Sequence, residues 1–491
     1  MLRSFLKNHM ASSAIMILAI LFLAGSLFAQ EELEAQDITY AIEAELLLDP
    51  AVAAHLVDVN TVDGVVTLTG SVDNILAKER ATEIAETVKG VRSVVNNILV
   101  KPVVREDSAV ERDIREALLD NPTTELYDIT IDVNDATVML DGSVESWQEK
   151  QMSALVSKGV KGVRKVKNNI TIDYSETHSD YDIQQDVESR LIYDTWVDEA
   201  LISVEVNDGK VILSGTVGSA YEKRRARTDA WVAGTTEVDA SGLQVEWWAH
   251  DDMQRQPRET ALNDAEIEEA ISDAFLYDYR VNPFDLAVEV KQGKAILSGR
   301  VDNLGAKMAA AQDARNTIGV WKVENHIRVR PEKVPSNEAL KDRMQKALIR
   351  DPYVEWSEID VDARNGLIIL DGEVNSSFEK RRAAEIAWDV IGVVDVDNRI
   401  DAEHQWVWQS DWQIKEAVKD QLFWSPFVDE HKIQVKVDQG IVTLTGSVDS
   451  WSAWNQAEEN AFEAGAKDVK NKLKVENGLD YEYPYSFLDI E

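Results

Sequence analysis

Six stretches of the chain open with apolar residues spaced four apart. They are Ile38, Ile42, Leu46; Val110, Ile114, Leu118; Ile183, Val187, Leu191; Ile267, Ile271, Phe275; Leu340, Met344, Leu348; and Ile414, Val418, Leu422. Such a row is one face of an amphipathic helix. Pro50, Pro122, Pro352 and Pro426 follow four of the rows, and the residue before a proline avoids helical dihedrals, so the helix ends there. The period then changes to two. Ile129, Ile131, Val133 and Ile433, Val435, Val437 alternate with polar residues, which predicts a strand with one buried face. A turn follows at Asp63-Gly64, Asp208-Gly209, Gln292-Gly293, Asn365-Gly366 and Gln439-Gly440, glycine supplying the positive φ of a tight hairpin. The second stretch has Asp135-Ala136 there, so its turn is expected to be strained or of another type. A return strand alternates again, as in Val66 and Leu68 against Thr67 and Thr69. A second helix buries Ala77, Ala81, Ile84, Ala85 and Val88, and a Gly-Val pair such as Gly90-Val91 opens a last strand.

The unit is helix, strand, strand, helix, strand, and it recurs. Its marker is Gly-x-Val, at Gly70, Gly142, Gly215, Gly299, Gly372 and Gly446, spaced by 72, 73, 84, 73 and 74 residues. The long spacing coincides with a polar linker, Ala249 to Asp264, which divides the array into two groups of three. The expected fold class is α+β: six tandem αββαβ two-layer modules, each a three-stranded sheet with two helices on one face, strung as beads. The modules are expected at 35–103, 105–174, 180–247 (diverged, its last strand bulged near Gly242), 262–331, 337–403 and 409–477, with a tail at 478–491. A unit of about 70 residues is near the lower limit for one unstapled core, so neighbours are expected to lean on one another.

This pattern resembles the BON domain family of bacterial envelope proteins. The resemblance rests on the helix ending at Asp49-Pro50, the hairpin from Asp63 to Val72, and Gly90-Val91 leading to Val94 and Asn96. The asparagine returns as Asn168, Asn325, Asn398 and Asn471, and the third copy departs, with Val238 followed by Ala240. The resemblance implies a non-enzymatic protein of the periplasm or outer membrane, linked to osmotic stress and envelope integrity. Some members of the family bind phospholipid.

The first 29 residues read as a signal peptide: Arg3 and Lys7, an apolar run from Ala14 to Ala24, and a small residue at Ala29. Met10 to Ala29 is also just long enough for an uncleaved anchor. Either way the bulk of the chain leaves the cytoplasm. The net charge of −38, about −40 without the leader, disfavours nucleic acid as a partner. It is spread along the chain as a solvating surface. The chain has no cysteine, which excludes disulfides and thiolate chemistry.

Searched for chemistry, the seven histidines fall at unrelated repeat positions, and no cofactor or metal is expected. Asp360-Val361-Asp362 lacks calcium-loop spacing. Ser71 and Ser447 read as helix caps. Lys223-Arg224-Arg225 and Lys380-Arg381-Arg382 open second helices, where salt bridging is the plainer reading and phosphate or carboxylate contact the other. Tryptophan is absent before Trp147 and concentrates at the end: Trp406, Trp408, Trp412, Trp424, Trp451 and Trp454, joined by Phe423 and Phe427. Core filling between small modules is one reading. The other is a docking surface for lipid headgroups, glycan or a partner protein, made by Trp424, Phe423, Phe427, Trp451 and Trp454 with Lys415 and Lys419. The first functional reading is therefore a non-catalytic envelope scaffold, with phospholipid or envelope proteins as partners. The second is a chaperone-like assembly factor for secreted proteins. An enzyme is the third, and recurrence argues against it, since no polar constellation is unique to one cleft. No oligomeric state follows from the sequence.

Overall fold

In the computed structural model each apolar row lies on a helix of fourteen residues: Ala35–Leu48, Asp107–Asp120, Asp180–Tyr193, Asp264–Tyr277, Asn337–Arg350 and Asp411–Trp424. The middle residue of every row is fully buried. The structure describes residues 33–121, 124, 129–174, 178–247, 262–278, 280–281, 285–331, 335–402 and 409–475. The leader, the linker up to residue 261, Trp406, Trp408 and the tail lie outside the described residues.

Each module forms the predicted unit. In the first, Val57–Val62 pairs antiparallel with Val65–Val72, and Ser93–Asn96 runs parallel to the latter, with Val66 opposite Val94. The second helix, Ile75–Glu86, packs on the same side as the first. Gly70 has φ 111°, and a Cβ there would collide with the carbonyl oxygen of Leu56, as at Gly215, Gly299, Gly372 and Gly446 with their own counterparts. The strand crosses the start of its partner too closely for any side chain, which is why Gly-x-Val marks the repeat.

The recurring asparagine ties the last strand to the second helix. Asn96 Nδ2 donates to the carbonyl of Lys78 (2.7 Å), and its Oδ1 accepts from the Ile98 amide (3.0 Å). The chain kinks, Ile98 is buried, and pairing resumes at Leu99–Val100. Asn168, Asn325, Asn398 and Asn471 repeat the bond to the helix. In the third module Ala240 stands there, and the strand Glu237–Val245 carries one extra residue, Ile212 facing Asp239 and Ser214 facing Gly242.

Two expectations change. Ser71 and Ser447 lie within strands; the second helices are capped three residues later, by Asn74, Ser146, Ser219, Asn303, Ser376 and Ser450. The Asp135-Ala136 turn keeps the left-handed geometry of the others (φ 49° and 55°), so the strain is real and the turn type is unchanged. The Asp107 carboxylate accepts from both turn amides (2.8 and 3.0 Å), and Asp180, Asp264 and Asp411 hold their own hairpins in the same way.

The beads are in contact. The described residues from Ala35 on form one compact unit, and its inter-module contacts repeat in a regular way. Second helices meet head to tail within each group of three. In the first group Lys158 pairs with Glu79 (2.6 Å), Arg224 pairs with Glu86, and Trp147 stacks on Trp231 at 5.2 Å, so modules one, two and three close a ring. In the second group modules four and five share a hydrophobic core, Trp321 touches Trp451 at 5.8 Å, and Arg381 lies beside Glu459. A second kind of contact joins the rings in pairs. The amide preceding the Gly-Val pair donates to the last carbonyl of a first helix in the other ring: Lys89 to Trp424 (2.9 Å), Lys161 to Arg350 (2.6 Å), Ile391 to Asp120 (2.9 Å) and Ile318 to Tyr193 (3.0 Å). Modules one and six, two and five, three and four are thereby paired. For two and five the bond runs both ways, as an approximate twofold requires.

Candidate functional site

The sixth module begins at Ser410, whose hydroxyl caps the first helix while Gln413 bonds back to the Ser410 amide (3.0 Å). The helix ends at Trp424, and Pro426 turns the chain toward the hairpin. The aromatic residues expected to form a surface have neighbours within the chain. Trp454 is buried and donates to the Leu473 carbonyl (3.2 Å). Trp451, half-buried, lies between Trp454 (6.0 Å) and Trp321 of module four. Phe427 meets Trp196 (4.9 Å) and Tyr221 (5.1 Å) of module three edge-on. Phe423 and Trp247 receive the Lys89 ammonium on their faces, at 5.2 and 5.3 Å. The backbone of Trp424 holds Lys89 as described. Lys415 is half-buried, and Lys419 is exposed and paired with Glu416 (3.1 Å). Of the tryptophans in this module, Trp412 is the exposed one among the described residues, at 59%. Thus Phe423 with Trp424, Phe427, and Trp451 face modules one, three and four in turn, Trp454 and Lys419 are engaged within module six, and the sequence-predicted residues do not converge on one surface.

Between modules three and six lies a cavity of about 80 Å³, lined by the equivalent pairs Trp196 and Phe427, Ser219 and Ser450, together with Thr195 and Ser452. The Thr195 and Ser452 hydroxyls share a hydrogen bond across it (2.8 Å).

Titratable groups gather where modules meet. Between modules three and four, burial pushes Asp229 up to about 7, and it raises Asp313, the equivalent residue, well above the carboxylate range, Asp278 adding to the rise. Arg225 pairs with Asp194 and Asp229 in the same layer. Burial also lifts Glu45 to about 7, with Glu463 of module six adding to it, and Asp389 to about 6. Arg382 pairs with Asp351 (2.8 Å) and Arg350 with Glu116 and Asp120. The two basic runs are therefore occupied by salt bridges at Arg224, Arg225 and Arg382. No group of three or more acidic or histidine side chains is arranged to hold a metal ion among the described residues, and no described helix is long and apolar enough to cross a membrane.

Sequence reasoning missed Lys89, Asp194, Thr195 and Arg350. Their signal was present: they sit at the helix end or beside the Gly-Val pair, where the module itself asks nothing of the side chain.

Tandem αββαβ modules whose helical layers face one another define a class of repetitive, multi-module assembly, and comparison with known proteins gives the family. The BON domain matches residues 34–102, 106–174, 179–246, 263–331, 336–403 and 410–477, and the chain belongs to that family. It is 30% identical over 131 residues to osmotically-inducible protein Y of Escherichia coli (strain K12). That match covers 26% of this chain and 65% of the relative, so the chain spans about two thirds of that protein's length. Among solved structures it is similar to the C-terminal domain of CdsD, the structural protein of the type III secretion system of Chlamydia trachomatis. There the identity is 16%, with 44% of this chain and 99% of that one covered and a TM-score of 0.12, a likeness too slight to bear on this chain. A second structure of CdsD aligns equally loosely, over 45% and 98% of the two chains at 16% identity and the same TM-score.

Proposed function

We propose that this protein is a non-catalytic, envelope-associated scaffold that supports osmotic-stress tolerance, delivered to the periplasm by its leader and touching phospholipid there. The similarity to osmotically-inducible protein Y carries this reading. The construction of the unit supports it: buried residues with perturbed acidity serve junctions between modules rather than an open cleft. Growth after hyperosmotic shift tests the reading. A strain lacking the protein should recover more slowly and be rescued by the natural chain; equal recovery with and without it would refute the role. Lipid contact is tested separately by co-sedimentation with anionic and neutral vesicles, in natural and Trp412→Ala forms. Binding that is selective for anionic vesicles and weakened by salt is expected.

One observation favours the chaperone-like reading as a second. Leu47, Leu119, Leu276 and Ile349 occupy the same first-helix position in four modules and are 66%, 57%, 60% and 41% exposed. Repeated exposed aliphatics suit transient contact with unfolded clients. Suppression of client aggregation, lost when all four become serine, is the expected result for that activity.

A further inference from the structure

Outward strand positions of module six carry four exposed lysines, flanked at one end by Asp438 and Asp468. Lys436 on the first strand and Lys470, Lys472 and Lys474 on the last are all exposed. The register sets Lys436 and Lys470 on either side of Thr443, with Lys472 beside Thr445 and Lys474 beside Ser447. Strands about 4.8 Å apart and same-face residues about 6.6 Å apart along them put the four ammonium groups over a patch of roughly 10 by 13 Å. The ion pairs of this module among the described residues involve Lys419, His431 and Lys432 on its own side and Lys89 from module one, so these four lysines are not engaged. A bare lysine face is out of keeping with a chain of net charge −38.

Module five carries the opposite sign over most of the same lattice, with Arg399 at the position of Lys472. At the positions of Lys436, Lys470 and Lys474 it has Asp362, Asp397 and Asp401, and its middle strand adds Asp371 and Glu373. Arg364 and Arg399 pair with Asp362 and Asp397 and leave the other acids in excess. These two faces of one molecule do not meet, because modules five and six touch through their second helices, on the other side of both sheets, where Arg381 lies beside Glu459.

We propose that the lysine face of module six docks on the acidic face of module five of a second copy of this chain. The contact joins two different surfaces, so each added copy presents a fresh face of each kind, and the assembly grows head to tail instead of stopping at a dimer. Screening over about 10 Å at 0.1 M salt removes the long-range repulsion between copies and leaves the pairs at contact, while screening over about 3 Å at 1 M weakens those too.

Sedimentation velocity of the full secreted chain reads this directly. At about 0.1 M salt the weight-average mass should climb with concentration past that of a dimer, and at about 1 M it should return to monomer. The triple variant Lys470→Glu, Lys472→Glu, Lys474→Glu should stay monomeric. So should Glu373→Lys, Asp397→Lys, Asp401→Lys. All six together restore the natural net charge and should restore association, with far-UV circular dichroism confirming that each variant is folded. A natural chain that stays monomeric overturns the proposal, and so does association that survives the lysine triple or fails to return in the sixfold variant. Two other outcomes also overturn it by naming another occupant. One is a monomeric chain whose lysine triple loses binding to phosphatidylglycerol vesicles; the other is association that appears only after residues 478–491 are removed.

Discussion

At Gly446 the backbone takes φ 129° with the Lys432 carbonyl where a side chain would go. Gly446→Ala therefore has to move one strand against the other, and a loss of about 3 kcal/mol or more is expected in urea unfolding. Ala136 is the converse case. It holds a left-handed conformation that costs a non-glycine residue about 1 kcal/mol, so Ala136→Gly should stabilise by about that amount. Both residues could be read from the sequence: one by its recurrence, the other by breaking the Asp-Gly pattern. Ser71 and Ser447 could not. Each lies in the last residues of a strand, three before the cap at Asn74 or Ser450, and periodicity does not say which polar residue near a strand end will bond to the helix.

Helices and strands were legible because each has one buried face, and period 3.6 and period two cannot be confused over fourteen and six residues. The row Ile414, Val418, Leu422 needed nothing more. What lies between elements of different modules was not legible, because it depends on backbone groups and on single side chains that a repeat does not fix. Arg350 shows this. Only 7% of its side chain is exposed, and it pairs with Glu116 and Asp120 of module two, yet in the sequence it is one arginine at a helix end. Arg350→Ala removes a buried guanidinium from both pairs and leaves Asp120 with Arg343 alone (3.7 Å), so it should lower stability by about 2 kcal/mol, read from the unfolding midpoint. Arg364→Ala, on an exposed face, should scarcely move it. The aromatic cluster of module six was legible as a concentration of rings. Its division among three neighbouring modules was not.

The unit as a whole carries a pH signature. A carboxyl whose folded pKa is raised holds its proton more tightly folded than unfolded, so it lowers stability above that pKa and the loss is recovered as pH falls through it. Asp229 and Glu45 at about 7 and Asp389 and Asp420 at about 6 all act in that direction. The melting temperature should therefore rise as pH is lowered from about 8 to about 5. Below about 4 the trend should reverse, because Asp107, Asp182 and Asp362 hold their charge through hydrogen bonds made in the fold, and their protonation removes that contribution. Differential scanning calorimetry across this range checks both limbs.

The pairing of the rings also sets a timetable. Modules one, two and three are consecutive, so the first ring can close as soon as the third module has emerged. The hydrogen bond from Gln421 to Glu45 spans 376 residues, and the partner of module one arrives last of all. Until then the first ring must wait with its pairing surface uncovered, and contacts so distant along the chain form slowly. A chain cut after module five would be left with that surface permanently open, a hazard that ends only when the sixth module docks.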